Sequence, residues 1–303
     1  MTEGIILLDK PPGQTSFQSL GTLKRRLGTG RVGHTGTLDK FAEGLLVVLC
    51  GRMTRLCAYA TSLDKEYVAV ITFGRATTTL DPEGETTAEG NIPGRSSLEE
   101  VLPAFVGSLM QVPPAFSAIH VGGRRAYDAA RKGESVVLAP RPVRIDRIDL
   151  LSYEPPDATI RVSCSKGTYI RSLARDIAEK LGTCGFVSRL QRTRVGGFRL
   201  EHARRPEAFD PARDVLPPDA FFDAAPALGR LRVLPQWEGA VCNGRPLAEG
   251  FFEQPLGGSS AFPQGMFGAF AVDGRLVAVV ERRGEAWRYA AAFPPLAAGG
   301  APL

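Results

Sequence analysis

A glycine-rich segment followed at once by an unbroken apolar run constrains the fold of this chain more than any other feature. The run, Leu45 to Cys50, has the length and composition of a buried β-strand. The segment before it, residues 33–44, holds three glycines and two threonines around a single Asp. Glycine permits the positive φ angles and the close backbone approach that a ligand-binding loop needs. The sequence therefore predicts a firmly anchored loop that presents Asp39 beside a buried strand.

The chemistry of Asp39 is not fixed by this spacing. A short carboxylate on such a loop can act as a nucleophile, a base or an electrostatic partner of a cation. An Asp beside Gly and Thr also forms Asx turns, and by spacing alone the turn is the more common role. Other motifs are needed to decide between these interpretations.

Further motifs occur in a fixed order between residues 4 and 195. They are Lys-Pro-Pro-Gly-Gln-Thr-Ser at 10–16, Gly-His-Thr-Gly-Thr-Leu-Asp-Lys-Phe-Ala-Glu-Gly at 33–44, Asp-Lys-Glu-Tyr at 64–67, the Ser-Ala at 117–118 with the Gly and Arg residues up to 133, and Cys-Ser-Lys-Gly-Thr-Tyr-Ile-Arg at 164–171. Together they resemble the TruB family of tRNA pseudouridine synthases. The second of them matches every fixed position of the family pattern Gly-His-x-Gly-x-Leu-Asp-x-x-Ala-x-Gly.

The resemblance implies a fold and a domain organisation. We expect an α+β pseudouridine synthase fold, with a mixed, largely antiparallel central sheet flanked by helices. Residues 1–230 would form the catalytic domain, including an RNA-gripping insertion at about 113–135. Residues 231–303 would form a small, β-rich, PUA-like RNA-binding domain. Two features of the residues agree with this division: 203–230 is rich in Pro and acidic residues, and Asp273-Gly274 between two apolar runs predicts a β-hairpin.

The resemblance also implies the catalytic residues. Asp39 takes the place of the nucleophile, and Arg171 would pair with it and keep it ionised, since a nearby cation favours the charged carboxylate. Tyr67 would stack on the target base and could help to remove the C5 proton. Without the resemblance, Arg171 would be assigned to a solvated helix face and Tyr67 to a sheet.

Six further residues are expected to bind the substrate or to support the site. The resemblance gives them distinct roles: His34 displaces the target base, Tyr169 and Asp81 lie at the pocket, Leu190 forms its wall, Arg192 contacts RNA, and Lys10 supports the loop or contacts a phosphate. The family often has a second Asp three residues before Asp81, where this chain has Thr78. This difference affects the local polar network only.

The reaction that the resemblance implies is the isomerisation of uridine to pseudouridine at position 55 in the T-loop of tRNA, on a base flipped out of its stack. It breaks the N-glycosidic bond and joins C5 to the sugar, so it needs no cofactor and no metal. Attack on the sugar and attack on the base both remain open.

The distribution of charge suits a polyanionic partner. The net charge is only +5, but residues 24–55 carry seven basic and two acidic side chains, and residues 124–199 carry sixteen and eight. Residues 231–303 carry six of each. Basic charge is thus concentrated around the motifs, as binding of the tRNA T-arm would require.

Apolar spacing predicts the main elements. It predicts helices at 17–27, with Ser16 as the N-cap, at 97–105 and at 168–181. Strands are predicted at 4–8, 45–50 and 67–73, and a further pair from 143–150 and 160–164. Residues 111–135, which mix Pro, Gly and basic residues, predict a mobile excursion.

The remaining composition bounds the class of protein. Five cysteines without a Cys-x-x-Cys pair, no apolar stretch of membrane-spanning length and no signal-peptide pattern indicate a cytoplasmic protein. We expect a monomer that needs no guide RNA. Three alternatives stay open: a dinucleotide-binding enzyme, because residues 28–33 fit Gly-x-Gly-x-x-Gly, a non-catalytic RNA-binding or RNA-folding factor, and a guide-RNA-dependent relative.

Overall fold

The computed structural model describes residues 2–116, 120–121, 124–125, 138–253 and 263–294. Most of the predicted insertion at 113–135, and most of the predicted excursion at 111–135, lies outside the described residues.

The strands of the described residues span most of the chain. They are β1 Gly4–Lys10, β2 Val32–His34, β3 Glu43–Cys50, β4 Lys65–Phe73, β5 Arg75–Thr77, β6 Thr86–Glu89, β7 Gly107–Gln111, β8 His120–Val121, β9 Arg124–Arg125, β10 Arg141–Glu154, β11 Asp157–Cys164, β12 Gly185–Val195, β13 Phe198–Arg199, β14 Val215–Leu216, β15 Gly229–Arg232, β16 Gly265–Phe270, β17 Leu276–Arg283 and β18 Ala286–Ala292.

The α-helices of the same residues are short and lie between the strands. They are α1 Ser16–Leu27, α2 Cys57–Ser62, α3 Arg95–Val101, α4 Ile170–Lys180, α5 Ala220–Ala224 and α6 Glu238–Cys242.

Ten strands of the described chain form one central sheet. Its order is β14-β1-β3-β12-β4-β11-β10-β7, with β13 paired to β12 and β2 paired to β3. The pairs are antiparallel except for β12 and β3, which run parallel where Gln191 faces Glu43 and Arg192 faces Gly44. The predicted mixed, largely antiparallel sheet is therefore confirmed. The parallel contact brings the start of β3, and with it the loop of Asp39, against β12 at the centre of the sheet.

The N-cap of helix α1 lies one residue before the predicted one, and the helix begins at Ser16. Thr15, not Ser16, is the N-cap, and it forms a capping box with Gln18. The prediction for Ser16 was wrong because both residues have a suitable hydroxyl, and only Thr15 adopts the extended backbone of a cap. The hydroxyl of Ser16 is thereby free to bind elsewhere, as described below.

The glycine motif at 28–33 lies in the wrong context for dinucleotide binding. It follows α1, ends that helix with Gly28 in the left-handed conformation, and leads into strand β2. A dinucleotide site requires the motif to follow a strand and to open a helix. The dinucleotide-binding alternative is therefore excluded for this motif.

Helix α4 packs on the central sheet through its apolar face. Ile170, Leu173 and Ile177 are buried in one core with residues of β4, β11 and β12. The predicted helix at 168–181 is confirmed with ends trimmed to Ile170 and Lys180. The predicted helix at 97–105 is shorter as an α-helix, since α3 ends at Val101 and a 3-10 turn continues to Phe105.

The C-terminal strands form a second sheet, in the order β15-β16-β17-β18. The predicted hairpin at Asp273-Gly274 is confirmed by the antiparallel pairing of β16 and β17. This sheet shares a core with the central sheet, because Phe222, Val279 and Phe293 are buried in one cluster with Leu45 and Val47. No helix of the described residues is long and apolar enough to cross a membrane.

Candidate active site

The loop of Asp39 joins β2 to β3 and is shaped by a glycine at its end. Gly44 has a φ of +99°, and a Cβ there would lie 2.5 Å from the carbonyl oxygen of Arg192. Only glycine fits this backbone and this approach. The loop therefore enters β3 in direct contact with β12.

The N-terminal loop holds the Asp39 loop from one side. Ser16 Oγ accepts a hydrogen bond from the amide of Leu38 at 2.9 Å and donates one to the carbonyl of Leu38 at 3.1 Å. Gly13 donates its amide to the carbonyl of Lys40 at 2.8 Å. Both neighbours of Asp39 are thus fixed by the segment 10–16.

Lys10 is fully buried beneath these two loops. Its Nζ donates to the carbonyls of Pro11 at 2.9 Å, Gln14 at 2.6 Å and Lys40 at 3.4 Å. Burial lowers the pKa of Lys10 to about 8, although the charge of Asp39 opposes the shift. Because its ammonium is enclosed by carbonyls, the geometry favours the supporting role over a phosphate contact.

Arg192 holds the loop from the opposite side. Its guanidinium donates to the carbonyls of Leu45 at 2.7 Å, Gly36 at 3.1 Å and Thr37 at 3.5 Å. The residue is 2% exposed. Sequence analysis assigned an RNA contact to Arg192. The structure instead places it under the loop, where its donors are used by the protein backbone.

Arg171 connects Asp39 to a second carboxylate. Its Nη2 donates to Asp39 Oδ1 at 3.2 Å, and its Nη1 donates to Asp81 Oδ2 at 3.1 Å. Nε lies 2.9 Å from Asp39 Oδ2, an ion-pair contact without hydrogen-bond geometry. The fork also donates to the carbonyls of Thr79 and Phe116. Arg171 is therefore a buried residue on the first turn of α4, and the solvated helix face is ruled out.

The second carboxylate is held by its own turn. Asp81 is buried, and its Oδ1 accepts hydrogen bonds from the Thr79 hydroxyl and from the amide of Glu83. Leu80, just before it, has a φ of +59°, which costs a non-glycine residue about 1–2 kcal/mol. Thr78, the position that differs from the family pattern, accepts the amide of Glu85 instead of adding a carboxylate.

Two opposing effects set the pKa of Asp39. Burial in the pocket is the largest cause and raises the pKa, and the Arg171 cation lowers it, while Asp81 and Glu83 add smaller raising effects. The net shift of the Asp39 pKa is upward, although Arg171 opposes it. Arg171 is the group that opposes the cost of burying this carboxylate.

Asp39 opens into a pocket of about 570 Å³. Tyr67, Tyr169, Leu190, Arg171 and Arg192 line it as well. The volume is in the range of small-molecule sites. The pocket thus combines two aromatic rings with one carboxylate and two buried arginines.

The two tyrosines differ in their surroundings. Tyr67 is buried, and burial raises the pKa of its phenol while Arg192 lowers it. The phenol therefore stays protonated at neutral pH, which suits a wall of the pocket and opposes a role as a base. Tyr169 lies under the guanidinium of Arg141, whose Cζ is 4.8 Å from the ring centroid.

His34 lies beside this pocket rather than among its lining residues. It ends strand β2 and is half-buried, and its Nδ1 has no hydrogen-bond partner in the described protein. Burial lowers the pKa of His34, with a smaller contribution from Arg192. The lowered pKa favours a neutral imidazole, and protein atoms enclose its Nδ1.

Sequence reasoning missed several groups at the site. Lys65, Arg141 and Lys166 line the pocket and add positive charge. Lys65 and Lys166 lie inside quoted motifs, but no pattern assigned them a role. Gln111 was missed because it lies in a segment interpreted as an excursion. Only the pairing of β7 with β10 brings it near the site.

Comparison with known proteins finds a matching family and several similar proteins. Residues 24–170 match the family described as "TruB family pseudouridylate synthase (N terminal domain)". A "tRNA pseudouridine synthase B" of Leifsonia xyli subsp. xyli is 40% identical over 96% of both chains. One of Borreliella burgdorferi is 48% identical over 66% of this chain and 72% of its own.

A solved structure extends the similarity to the whole fold. The crystal structure of a Cbf5-Nop10-Gar1 complex contains a chain that is 25% identical, with a TM-score of 0.73 over 96% of this chain and 85% of that one. Its alignment includes both sheets. Since a relative at 40% identity covers nearly all of the sequence, the chain belongs to the TruB family of pseudouridine synthases, which are isomerases.

Proposed function

We propose that this enzyme converts the uridine at position 55 in the T-loop of tRNA to pseudouridine, with Asp39 as the nucleophile and with the target base flipped into the pocket. The observation that carries the proposal is the ion pair of Asp39 with Arg171 at the floor of a pocket walled by Tyr67 and Tyr169. Relatives at 48% and 40% identity are named tRNA pseudouridine synthase B, which supports tRNA as the substrate.

The pocket suits a flipped pyrimidine nucleoside. Aromatic side chains bind an unstacked base by stacking, and Tyr67 and Tyr169 supply two such rings. The Asp39 side chain is 36% exposed, whereas that of Arg171 is 4% exposed. The carboxylate is thus accessible to a nucleoside, and the guanidinium behind it orients it.

Two arms of the Arg171 fork explain why the carboxylate has a defined direction. One arm binds Asp39 and another binds Asp81, which is itself fixed by Thr79 and Glu83. Arg presents a planar set of donors that can satisfy both carboxylates at once. A nucleophile held in this way loses little freedom when the substrate arrives.

The charge around the pocket favours an RNA backbone. Arg141 and Lys166 line the pocket, and the two stretches with the basic surplus, 24–55 and 124–199, supply most of its other lining residues. Residues 231–303 are neutral overall and carry all of the second sheet except the first two residues of β15. We propose that residues 1–230 form the catalytic domain and that residues 231–303 form a PUA-like domain, which adds grip on the tRNA.

A T-arm hairpin labelled with tritium at C5 of uridine tests the proposal. Pseudouridine formation replaces the C5–H bond by a C–C bond, so turnover releases tritium into water. The full-length enzyme alone should release it from the target uridine, and a hairpin with cytidine at that position should release none. Release from the naked hairpin also distinguishes this enzyme from a guide-RNA-dependent relative. No release from a folded enzyme on hairpin or full tRNA would contradict the proposed function and favour the non-catalytic RNA factor.

A further inference from the structure

The start of helix α4 is attached to the end of strand β7 by a buried amide. Gln111, the last residue of β7, is 3% exposed. Its Oε1 accepts the amide N–H of Tyr169 at 2.8 Å, and its Nε2 donates to the carbonyl of Tyr169 at 3.2 Å. One side chain therefore satisfies both backbone groups of one residue.

Tyr169 is the N-cap of α4, a position that usually carries a capping side chain. No side chain of its own caps the helix. Its carbonyl already accepts the amide of Leu173 in the first helical turn. The Gln111 amide thus fixes the backbone at the point where the helix begins, and Arg171 follows two residues later.

The segment after Gln111 continues this attachment. Ser172 Oγ donates to the carbonyl of Val112 at 2.8 Å, and Arg175 Nη2 donates to the same carbonyl at 3.0 Å. Arg171 Nη2 donates to the carbonyl of Phe116 at 2.9 Å. The first turn of α4 is therefore tied to residues 111–116 by its backbone and by three side chains.

The pairing of β7 with β10 brings a second side chain, Arg141, to Tyr169. Gln111 pairs with Arg141 across β7 and β10. Residues directly opposite in an antiparallel pair present their side chains on one face of the sheet. Gln111 holds the backbone of Tyr169 while Arg141 covers its ring. Both the position and the tilt of the tyrosine are thereby determined from the sheet.

We propose that Gln111 is a positioning residue for the isomerisation: its amide fixes Tyr169 and the start of α4, and so aligns the Tyr169 ring and the Arg171 guanidinium with Asp39. This inference rests on the proposed roles of Asp39 and Arg171. Gln111 does not line the pocket among the described residues, so it acts through Tyr169 and Arg171 rather than on the substrate.

Replacement of Gln111 by leucine tests the inference in the full-length enzyme. The Gln111→Leu side chain is of similar size but leaves the N–H and carbonyl of Tyr169 without their amide partner. We expect the single-turnover rate of tritium release to fall at least about tenfold, which is about 1.4 kcal/mol of barrier, while the Kd for the hairpin stays within about threefold, the scale of a minor contact. A looser Arg171 also opposes the burial of Asp39 less well, so the acid limb of the rate should move to higher pH.

The chain offers a matched control in Gln264. Its amide also bonds both backbone groups of one residue, with Nε2 donating to the carbonyl of Gly284 at 3.1 Å and Oε1 accepting its N–H at 2.7 Å. It is exposed and lies just before β16 of the C-terminal sheet, away from the pocket. Gln264→Leu should leave the single-turnover rate within about twofold and should not move its pH profile, since about twofold is only about 0.4 kcal/mol.

A Gln111→Glu variant keeps the test decisive if the leucine variant does not fold. The carboxylate can accept the N–H of Tyr169 but repels its carbonyl, whereas the protonated acid reproduces both hydrogen bonds. The rate of this variant, divided by the wild-type rate, should therefore increase as the pH falls from about 8 to about 6, because burial favours the protonated carboxyl.

The outcomes separate this inference from the proposed function. A folded Gln111→Leu enzyme with a wild-type rate, or a flat ratio for Gln111→Glu, overturns the positioning role. If Asp39→Asn is inactive in the same assay, the proposed function survives that result. An active Asp39→Asn enzyme would overturn the proposed function and this inference with it.

Discussion

Arginine side chains pair with carboxylates both at the pocket and on the C-terminal sheet, but the surroundings of the two pairs differ. At the pocket, the Arg171 and Asp81 side chains are 4% and 6% exposed. On the C-terminal sheet, Arg283 pairs with Glu281 at 2.8 Å while its side chain is 71% exposed. Water screens the second pair and cannot screen the first. The two pairs have similar contact distances, but the buried pair at the pocket should matter much more to the structure than the exposed pair at the surface.

The comparison extends to the groups that surround each pair. Arg171 contacts two carboxylates and two carbonyls, so its removal would leave several buried acceptors without a donor. Arg192 and Lys10 donate hydrogen bonds to backbone carbonyls in and next to the loop that carries Asp39. Buried cations thus support the Asp39 loop as well as orient its carboxylate. Substitution of a buried charged residue should therefore reduce activity or stability more than substitution of an exposed one.

The largest effect should come from Asp39→Asn. The side chain keeps its shape but loses the charge and the nucleophilic oxygen, so we expect the single-turnover rate to fall at least about a thousandfold, or about 4 kcal/mol. Binding of the hairpin should remain, because the basic side chains around the pocket are unchanged. Tritium release and filter binding on the same preparation measure both, and wild-type release would show that Asp39 is not the nucleophile.

Arg171→Lys should have the next largest effect. Lysine keeps the charge, but its single ammonium cannot bridge Asp39 and Asp81 in the geometry of the guanidinium fork. We expect a loss of about a hundredfold in single-turnover rate, similar to the loss of one oriented donor at an active site. The exposed Arg283→Lys is the matched control and should have no effect.

The Arg171→Lys variant also tests whether Arg171 controls the charge of Asp39. In the proposed reaction the Asp39 carboxylate must be ionised, and its pKa is raised by burial and lowered by Arg171. Activity is therefore lost as the pH falls through this pKa, and a weaker cation should move that acid limb to higher pH. An unchanged limb in the pH profile of Arg171→Lys would mean that Arg171 does not control the charge of Asp39.

Sequence reasoning reached the parts of the site that depend on local pattern. Loop composition identified Asp39 as accessible, apolar spacing predicted α4, and the motif resemblance linked Asp39 to Arg171 before any distance was known. It did not find Gln111, because its role depends on the pairing of β7 with β10, which lies outside any local pattern. It also did not predict the burial of Arg192, which follows from the parallel contact of β12 with β3.

The shared core likewise could not be predicted from the sequence. A division at residue 230 suggests two separable units, yet Phe222 packs with Val279 and Phe293 in a cluster that also holds Val47 of the central sheet. Long-range packing of this kind has no signature in a linear pattern. Tests of the C-terminal sheet are therefore better made by point substitution in the full chain than by truncation.

Lys10 provides a pH test of intermediate size. Burial lowers the pKa of Lys10 to about 8, below the usual value near 10.4 that it regains on unfolding. Between these values the unfolded chain binds more protons, so this group makes the free energy of unfolding rise with pH. Relative to Lys10→Met, the wild type should gain about 1–3 kcal/mol between pH 7.5 and 9.5. Urea unfolding at both pH values measures the gain.

The control for this test is Lys180→Met, at the exposed end of α4. Comparison of this variant with the wild type should give the same difference in unfolding free energy at both pH values. If the difference in unfolding free energy between the wild type and Lys10→Met were also the same at both pH values, burial would not lower the pKa of Lys10. The loop would then owe its support to Ser16 and Arg192.

The smallest effect should come from the surface pair of Arg283 and Glu281. A double-mutant cycle with alanine at both positions removes the contact while accounting for each side chain alone. Because Arg283 is mostly in water, we expect a coupling free energy below about 0.5 kcal/mol that declines further at high salt. The rate of tritium release should not change, since neither residue lines the pocket. A coupling above about 2 kcal/mol would break the comparison, because exposure would then not determine what an arginine–carboxylate pair contributes in this fold.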